Sequence, residues 1–187
     1  MTAKYPWIGL RRFARDQRGV SAIEFALLAP ALIAFYFGMA EMTQAMMAKR
    51  RVAHVASVIG DLIAQDQTVT PAEFADTWTI GTTLMLPFPT ATKLGMRISS
   101  VTANGTGAVT VDWSCAGGTG LTAKTAGTPW VGIPAGLIAA NQSLVIAETV
   151  YPYDTPVRKY LPSTMNFSSI YYLRPRTIAT VQRSSSC

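Results

Sequence analysis

Val20-Ser21-Ala22-Ile23-Glu24-Phe25-Ala26-Leu27-Leu28-Ala29-Pro30-Ala31-Leu32-Ile33-Ala34-Phe35-Tyr36-Phe37-Gly38-Met39-Ala40 is the stretch whose reading decides the fold. Its run from Phe25 to Ala40 carries no formal charge, and joined to Val20–Ile23 it reaches the ~20 residues that cross a hydrocarbon core. Glu24 is the anomaly. A carboxylate in a membrane helix costs up to roughly 3 kcal/mol at the helix centre and less near an end, so its placement calls for a partner or a purpose. Just upstream, Lys4, Arg11, Arg12, Arg15 and Arg18 are opposed only by Asp16 and form a basic leader that runs into Gly19.

Past Ala40 the helical pattern continues. Val52, Val55, Ala56, Ile59, Leu62 and Ile63 recur at spacings of three and four, with Arg50, His54, Ser57, Asp61 and Gln65 on the opposite side. From Val20 to about Gln65 this predicts one rod of roughly 65–70 Å, lipid-facing in its first half and half-buried in its second. Pro30 and Gly38 fall in the apolar half, where membrane helices tolerate both, and Glu41 at its far end reads as an interfacial residue. Next, Thr70-Pro71-Ala72-Glu73 has a threonine cap, a first-turn proline and a glutamate placed to reach back, so a short helix is predicted up to Pro87-Phe88-Pro89.

β patterning then takes over. Met96 and Ile98 are predicted to share one face of a strand, and Val109, Val111, Trp113 and Cys115 alternate with Thr110, Asp112 and Ser114, with Asn104-Gly105 as a hairpin turn between the two. Cys115 to Asn141 reads as a long loop. Further strands are predicted at Leu144–Tyr151, Phe167–Leu173 and Thr177–Gln182. The fold class is therefore α+β: a long membrane-spanning helix continues into an amphipathic helix packed on a small antiparallel β-sheet head. Residues 1–19 are the leader, 20–41 the membrane helix, 42–66 the amphipathic helix and 67–187 the head.

The string Arg15-Asp16-Gln17-Arg18-Gly19-Val20-Ser21-Ala22-Ile23-Glu24-Phe25, continuing to Pro30, resembles the start of TadE-like proteins, the minor pilins or pseudopilins of tight-adherence (type IVc) pili. Ala147-Glu148-Thr149-Val150-Tyr151-Pro152-Tyr153-Asp154-Thr155-Pro156 and Arg174-Pro175-Arg176, with Cys187, are similar to that family's later segments. Residues 68–142 carry no family signature. The resemblance implies cleavage by a prepilin peptidase between Gly19 and Val20, with Glu24 the fifth residue of the mature chain. It also implies assembly through Glu24 and Phe25, with Glu24 guiding subunits into a growing assembly through a neighbour's N-terminal amine. The implied partners are the peptidase, major and other minor pilins, the inner-membrane pilus platform and membrane lipid. The implied location is the bacterial inner membrane, N-terminus cytoplasmic and head periplasmic, and no cofactor is implied.

Charge distribution weighs against nucleic acid as a partner. The net +6 arises largely in the leader, and removing residues up to Gly19 leaves 11 basic against 9 acidic residues, with no basic stripe interleaved with aromatics. The basic flank also favours a cytoplasmic N-terminus, although Lys49, Arg50 and Arg51 follow the helix. Two other readings of the N-terminus stay open: Arg11-Arg12-Phe13 as part of a twin-arginine signal, and Gly38-Met39-Ala40 as a signal-peptidase site that would release a secreted domain.

Cys115 and Cys187 are the only cysteines. In an oxidising compartment a disulfide between them ties the tail to the Trp113 strand, and two free thiols are the alternative. With one distant histidine they make a poor zinc site. Catalysis finds little support: His54 sits on a polar helix side, Asp61 and Asp66 do not share a face well, Gly117-Gly118-Thr119-Gly120 reads as loop, and no serine elbow, phosphate loop or paired-histidine motif appears. Glu148 is expected to pair with Arg174 or Arg176, and Tyr151, Tyr153, Tyr171 and Tyr172 to pack around proline-rich turns. The expected protein is a non-enzymatic assembly factor. The alternative is a single-pass anchored periplasmic binding module with an uncleaved helix.

Overall fold

The computed structural model describes residues 19–155 and 164–187. Residues 1–18 of the leader and Pro156 of the similar segment lie outside the described residues. Helix α1 runs unbroken over Val20–Gln65, through Pro30, as the periodicity predicts. β1 (Thr68–Val69) leads into α2 (Pro71–Leu84). The capping box of α2 is complete: the Glu73 amide donates to Thr70 Oγ1 (3.3 Å), and the Thr70 amide donates to Glu73 Oε2 (2.7 Å). The Thr70 amide, and the Thr70 hydroxyl that also donates to Glu73 Oε2 (2.9 Å), hold the Glu73 carboxyl below its ordinary pKa. The box therefore contributes above the ordinary glutamate range and is lost as pH falls through the lowered value.

Four long strands form the head sheet: β2 (Gly95–Ala103), β3 (Val109–Gly118), β4 (Ser143–Asp154) and β5 (Thr164–Leu173), ordered β3-β2-β4-β5 and antiparallel throughout. The hairpin expected at Asn104-Gly105 is present, but its turn spans residues 104–108. Asn104 Oδ1 accepts from the Thr106 and Ala108 amides (3.0 and 2.9 Å), and the positive φ falls at Gly107 (83°).

The second half of α1 lies along the sheet. Val52, Val55, Ile59 and Ile63 bury against Met96, Ile98, Trp113, Val145, Ala147 and Tyr151. Three contacts give the directions. Tyr153 lies near Glu41, Thr149 Oγ1 donates to the Val52 carbonyl (2.9 Å), and Ala147 and Leu173 meet the helix at Gly60. β4 therefore runs towards the apolar half of α1, and β5 runs away from it, alongside the helix. Gly60 is the point of closest approach, since a Cβ there would stand 2.5 Å from Leu173 Cδ1 and 2.9 Å from the Ala147 Cβ. Gly60→Val is expected to destabilise the head by about 1–3 kcal/mol through overpacking, measurable by urea unfolding of the detergent-solubilised protein.

The alternation of Val109, Val111, Trp113 and Cys115 predicts one common face, and the structure corrects this. Ser100 pairs with Trp113 but Val101 pairs with Val111, so Asp112 is the extra residue of a β-bulge. Its carboxylate accepts from Ser100 Oγ (3.0 Å) and Thr102 Oγ1 (2.7 Å) across the strand pair. Trp113 and Cys115 consequently face the helix, whereas Val111 joins Val101, Leu144, Ile146 and Trp130 in a second core on the other face. The long loop supplies the cover for that face, with Ile133, Leu137 and Ile138 packed against it. With both faces covered, Leu144–Ala147 of β4 is buried at every position.

The predicted strand Thr177–Gln182 also departs from expectation: residues 177–180 form bends, and only Gln182 enters a strand. The start of this segment is committed to the end of the helix: the Arg176 amide donates to the Ala64 carbonyl (2.9 Å) and the Thr177 side-chain Oγ1 to the Gln65 carbonyl (2.7 Å). Only β6 (Gln182–Arg183) pairs, in parallel with β1. Glu148 likewise takes a different partner. Arg97 Nε donates to Glu148 Oε2 at 2.6 Å, while Arg176 pairs with Asp61 and Arg174 reaches the Leu137 carbonyl. The reason is register, because Arg97 and Glu148 are directly opposed on adjacent strands.

Candidate functional site

The head leaves the first half of α1 uncovered. Residues 20–40 are exposed apart from Ala29, Ala34 and Gly38, which are half-buried by their own helix neighbours, and the most apolar window of this half is untouched by the head. Ile23 is 63% exposed, Leu27 73% and Tyr36 69%. At 1.5 Å per residue the stretch measures about 31 Å, matching the thickness of a hydrocarbon core. A soluble protein rarely shows so long a continuous apolar surface, so this half requires lipid or neighbouring helices around it. It fits a single-pass membrane anchor.

Burial begins abruptly at Glu41, which is 3% exposed. Sequence reading places this residue at a hydrated interface, whereas the structure tucks it under the end of the head. There its carboxylate lies near Tyr153, whose phenol is pushed above its ordinary pKa by burial first and by this charge second. Only the tertiary packing of β4 over the helix could reveal this.

Gly19 and Val20 stand at the start of the helix, with the Gly19 carbonyl accepting from the Ile23 amide (3.1 Å). Gly19 has φ −99° and ψ −3°, an ordinary right-handed conformation, and among the described residues a Cβ at this position meets nothing within 4 Å. The described part of the fold therefore sets no requirement for glycine here. Glu24 and Phe25 are both exposed one turn further on, Phe25 at 69%, and among the described residues Glu24 has no ion pair or hydrogen bond. The predicted cluster is thus one uncovered helix end.

Cys115 and Cys187 are joined in a disulfide, with Cα atoms 5.8 Å apart and a sequence separation of 72. Around it the tail is tied in by Val181, fully buried, whose carbonyl accepts from Trp113 Nε1 (2.8 Å). Tyr151 and Tyr153 pack as expected: Tyr151 donates to the Pro89 carbonyl (3.0 Å), and Tyr153 meets Phe88 and stacks on Phe167. Tyr172 belongs instead to the outer core, and Tyr171 is 39% exposed. His54 is exposed on the helix, and no group of three or more metal-ligating side chains occurs among the described residues.

The family model of TadE-like proteins matches residues 19–60, which covers the uncovered half of α1 and most of its buried half. No curated protein and no solved structure matches the chain.

Proposed function

We propose that this TadE-like chain, a protein of the tight-adherence pilus system, is a minor pilin or pseudopilin that assists pilus assembly without being an enzyme. The observation that carries the reading is the uncovered apolar helix end with Glu24 unpaired among the described residues, within the segment that the family model matches. A prepilin peptidase cuts after Gly19, and the α-amine of Val20 becomes a cation near the membrane surface. The Glu24 carboxylate of one subunit pairs with the Val20 amine of a neighbour, and Phe25 packs beside it. Two isolated charges in lipid are each costly, so mutual pairing offsets part of the desolvation and favours insertion of the next helix. Major and other minor pilins, the inner-membrane platform and lipid surround the helix. The N-terminus lies in the cytoplasm and the head in the periplasm, a compartment that suits the disulfide.

Gly19 tests the processing step cleanly, because its conformation and surroundings accept a side chain. Gly19→Ala is expected to leave insertion and folding intact and to prevent cleavage, since the peptidase must take the chain into its site next to the scissile bond. Mass spectrometry of the membrane-extracted protein, in cells with and without the prepilin peptidase, reads the outcome. Wild type should start at Val20 only when the peptidase is present, and Gly19→Ala should keep its leader in both. A wild-type chain that retains its leader throughout favours the simple membrane anchor, and a start near Glu41 means a secreted domain.

A further inference from the structure

The two edges of the head sheet are treated differently by the chain. β3 is covered over its first part and near its middle. Near its start the Val111 amide donates to the Thr128 carbonyl (3.0 Å) and the Trp130 amide to the Val109 carbonyl (2.9 Å), so the loop forms a partial extra strand. Further along, the Cys187 sulfur lies 3.8 Å from the Ser114 carbonyl, held there by the disulfide to Cys115. β5, at the other edge, is ten residues long and has no backbone partner on its outer side among the described residues. Its sequence, Thr164-Met165-Asn166-Phe167-Ser168-Ser169-Ile170-Tyr171-Tyr172-Leu173, contains no charge and no proline, the residues by which proteins blunt a free edge. Ile170 and Tyr171 are 42% and 39% exposed on it.

We propose that β5 is a docking edge for an extended, uncharged strand from a different pilus subunit, which adds antiparallel to the sheet. The occupant follows from the groups that need satisfying: a ladder of outward amides and carbonyls at strand spacing is matched by another extended backbone. The direction follows from the helix. Because β5 runs alongside α1 and away from its apolar half, a second copy in the same membrane presents its own β5 in the parallel sense. Antiparallel pairing is the more stable ladder, and it needs a strand running towards the membrane. In this chain those strands are β4, inside the sheet, and β3, whose outer side is already occupied by the loop at Val109 and Val111 and by the tail near Ser114. The partner strand therefore comes from another kind of subunit anchored beside it. This inference rests on the assembly reading above.

The test places a photo-crosslinking amino acid in turn at Asn166, Ser168 and Ile170, three exposed positions on one face of β5, in the full-length protein in its own cells. Val131, 89% exposed in the loop, is the control site, and Phe25 reports separately on helix packing. The expected result is capture of one peptide from a second protein. The captured residue should step backwards by about two for each two-residue advance of the probe, the signature of an antiparallel ladder. Ser168→Lys should reduce capture from Asn166 at least about tenfold while the Phe25 crosslink and the Val20 N-terminus persist. Capture of residues 164–173 of another copy, forward stepping, scattered capture without register, or no capture while the Phe25 crosslink persists each overturns the proposal. Loss of the Phe25 crosslink together with an unprocessed N-terminus instead overturns the assembly reading.

Discussion

Glu24→Leu is expected to yield a protein that inserts in the membrane at least as well as wild type, starts at Val20, and is lost from pilus assemblies by about a hundredfold. The direction of the first effect follows from cost, because removing a carboxylate from a membrane helix relieves up to roughly 3 kcal/mol on insertion scales. The direction of the second follows from pairing. Glu24 has no ionic partner among the described residues of its own chain, and its exposure on an otherwise apolar helix end leaves it available to a neighbour. If an amine from a neighbouring subunit neutralises it, deletion leaves that amine alone in lipid, and a loss of about 3 kcal/mol corresponds to roughly two factors of ten in association. Quantifying the protein in sheared pilus fractions and in the membrane of the same cells separates the two effects. Glu24→Gln should fail like leucine, since it keeps the shape and removes the charge. Wild-type recovery of both variants in assemblies would sink the pairing mechanism and favour the anchored binding module.

The second large effect belongs to the disulfide. Cys187→Ser is expected to cost roughly 4 kcal/mol of head stability, the chain-entropy value for a closed loop of this length. For a head of this size that is a fall in melting temperature of about 15 °C. The structural consequence is specific. The disulfide pins a tail that carries fully buried Val181 and the β1–β6 pairing, and the acceptor for Trp113 Nε1 moves away if the tail detaches. Thermal unfolding of the detergent-solubilised protein, followed by near-ultraviolet circular dichroism of the Trp113 environment, should show the same fall for the variant and for wild type under reductant. A melting temperature unchanged by reductant would mean that core packing alone holds the tail.

Much of this molecule is legible from local pattern. The apolar run, its charged residue and the leader glycine are contiguous, so the membrane helix and the candidate site around Gly19, Val20, Glu24 and Phe25 are visible without any long-range contact. The buried face of the second half of α1 follows from spacing, and Val52, Val55, Ala56, Ile59 and Ile63 are all buried, with Leu62 half-buried. The capping box at Thr70 and Glu73 is likewise a local device, and it starts a helix where predicted. Strands β2, β4 and β5 appear within a few residues of their predicted spans for the same reason.

What the local pattern could not carry is register. A clean alternation from Val109 to Cys115 says that successive odd positions share a face, and a single extra residue at Asp112 undoes it, because the bulge depends on Ser100 and Thr102 across the strand pair. Arg97 is the partner of Glu148 only because their strands align them, and nothing in the spacing between residues 97 and 148 announces it. The segment after Arg176 has strand-like composition but is drawn to the free carbonyls at the end of α1, which come within its reach only once the helix is packed along the sheet. Glu41 is buried for the same kind of reason, and the edge of β5, unpaired among the described residues, is defined by which strand the loop and tail cover. Periodicity and capping act within a few residues of chain, so the sequence by itself determined the long helix, the capped helix and the strands β2, β4 and β5, and it marks the candidate site. Pairing, bulges and edge protection depend on which distant residues meet, and these the tertiary structure alone decided.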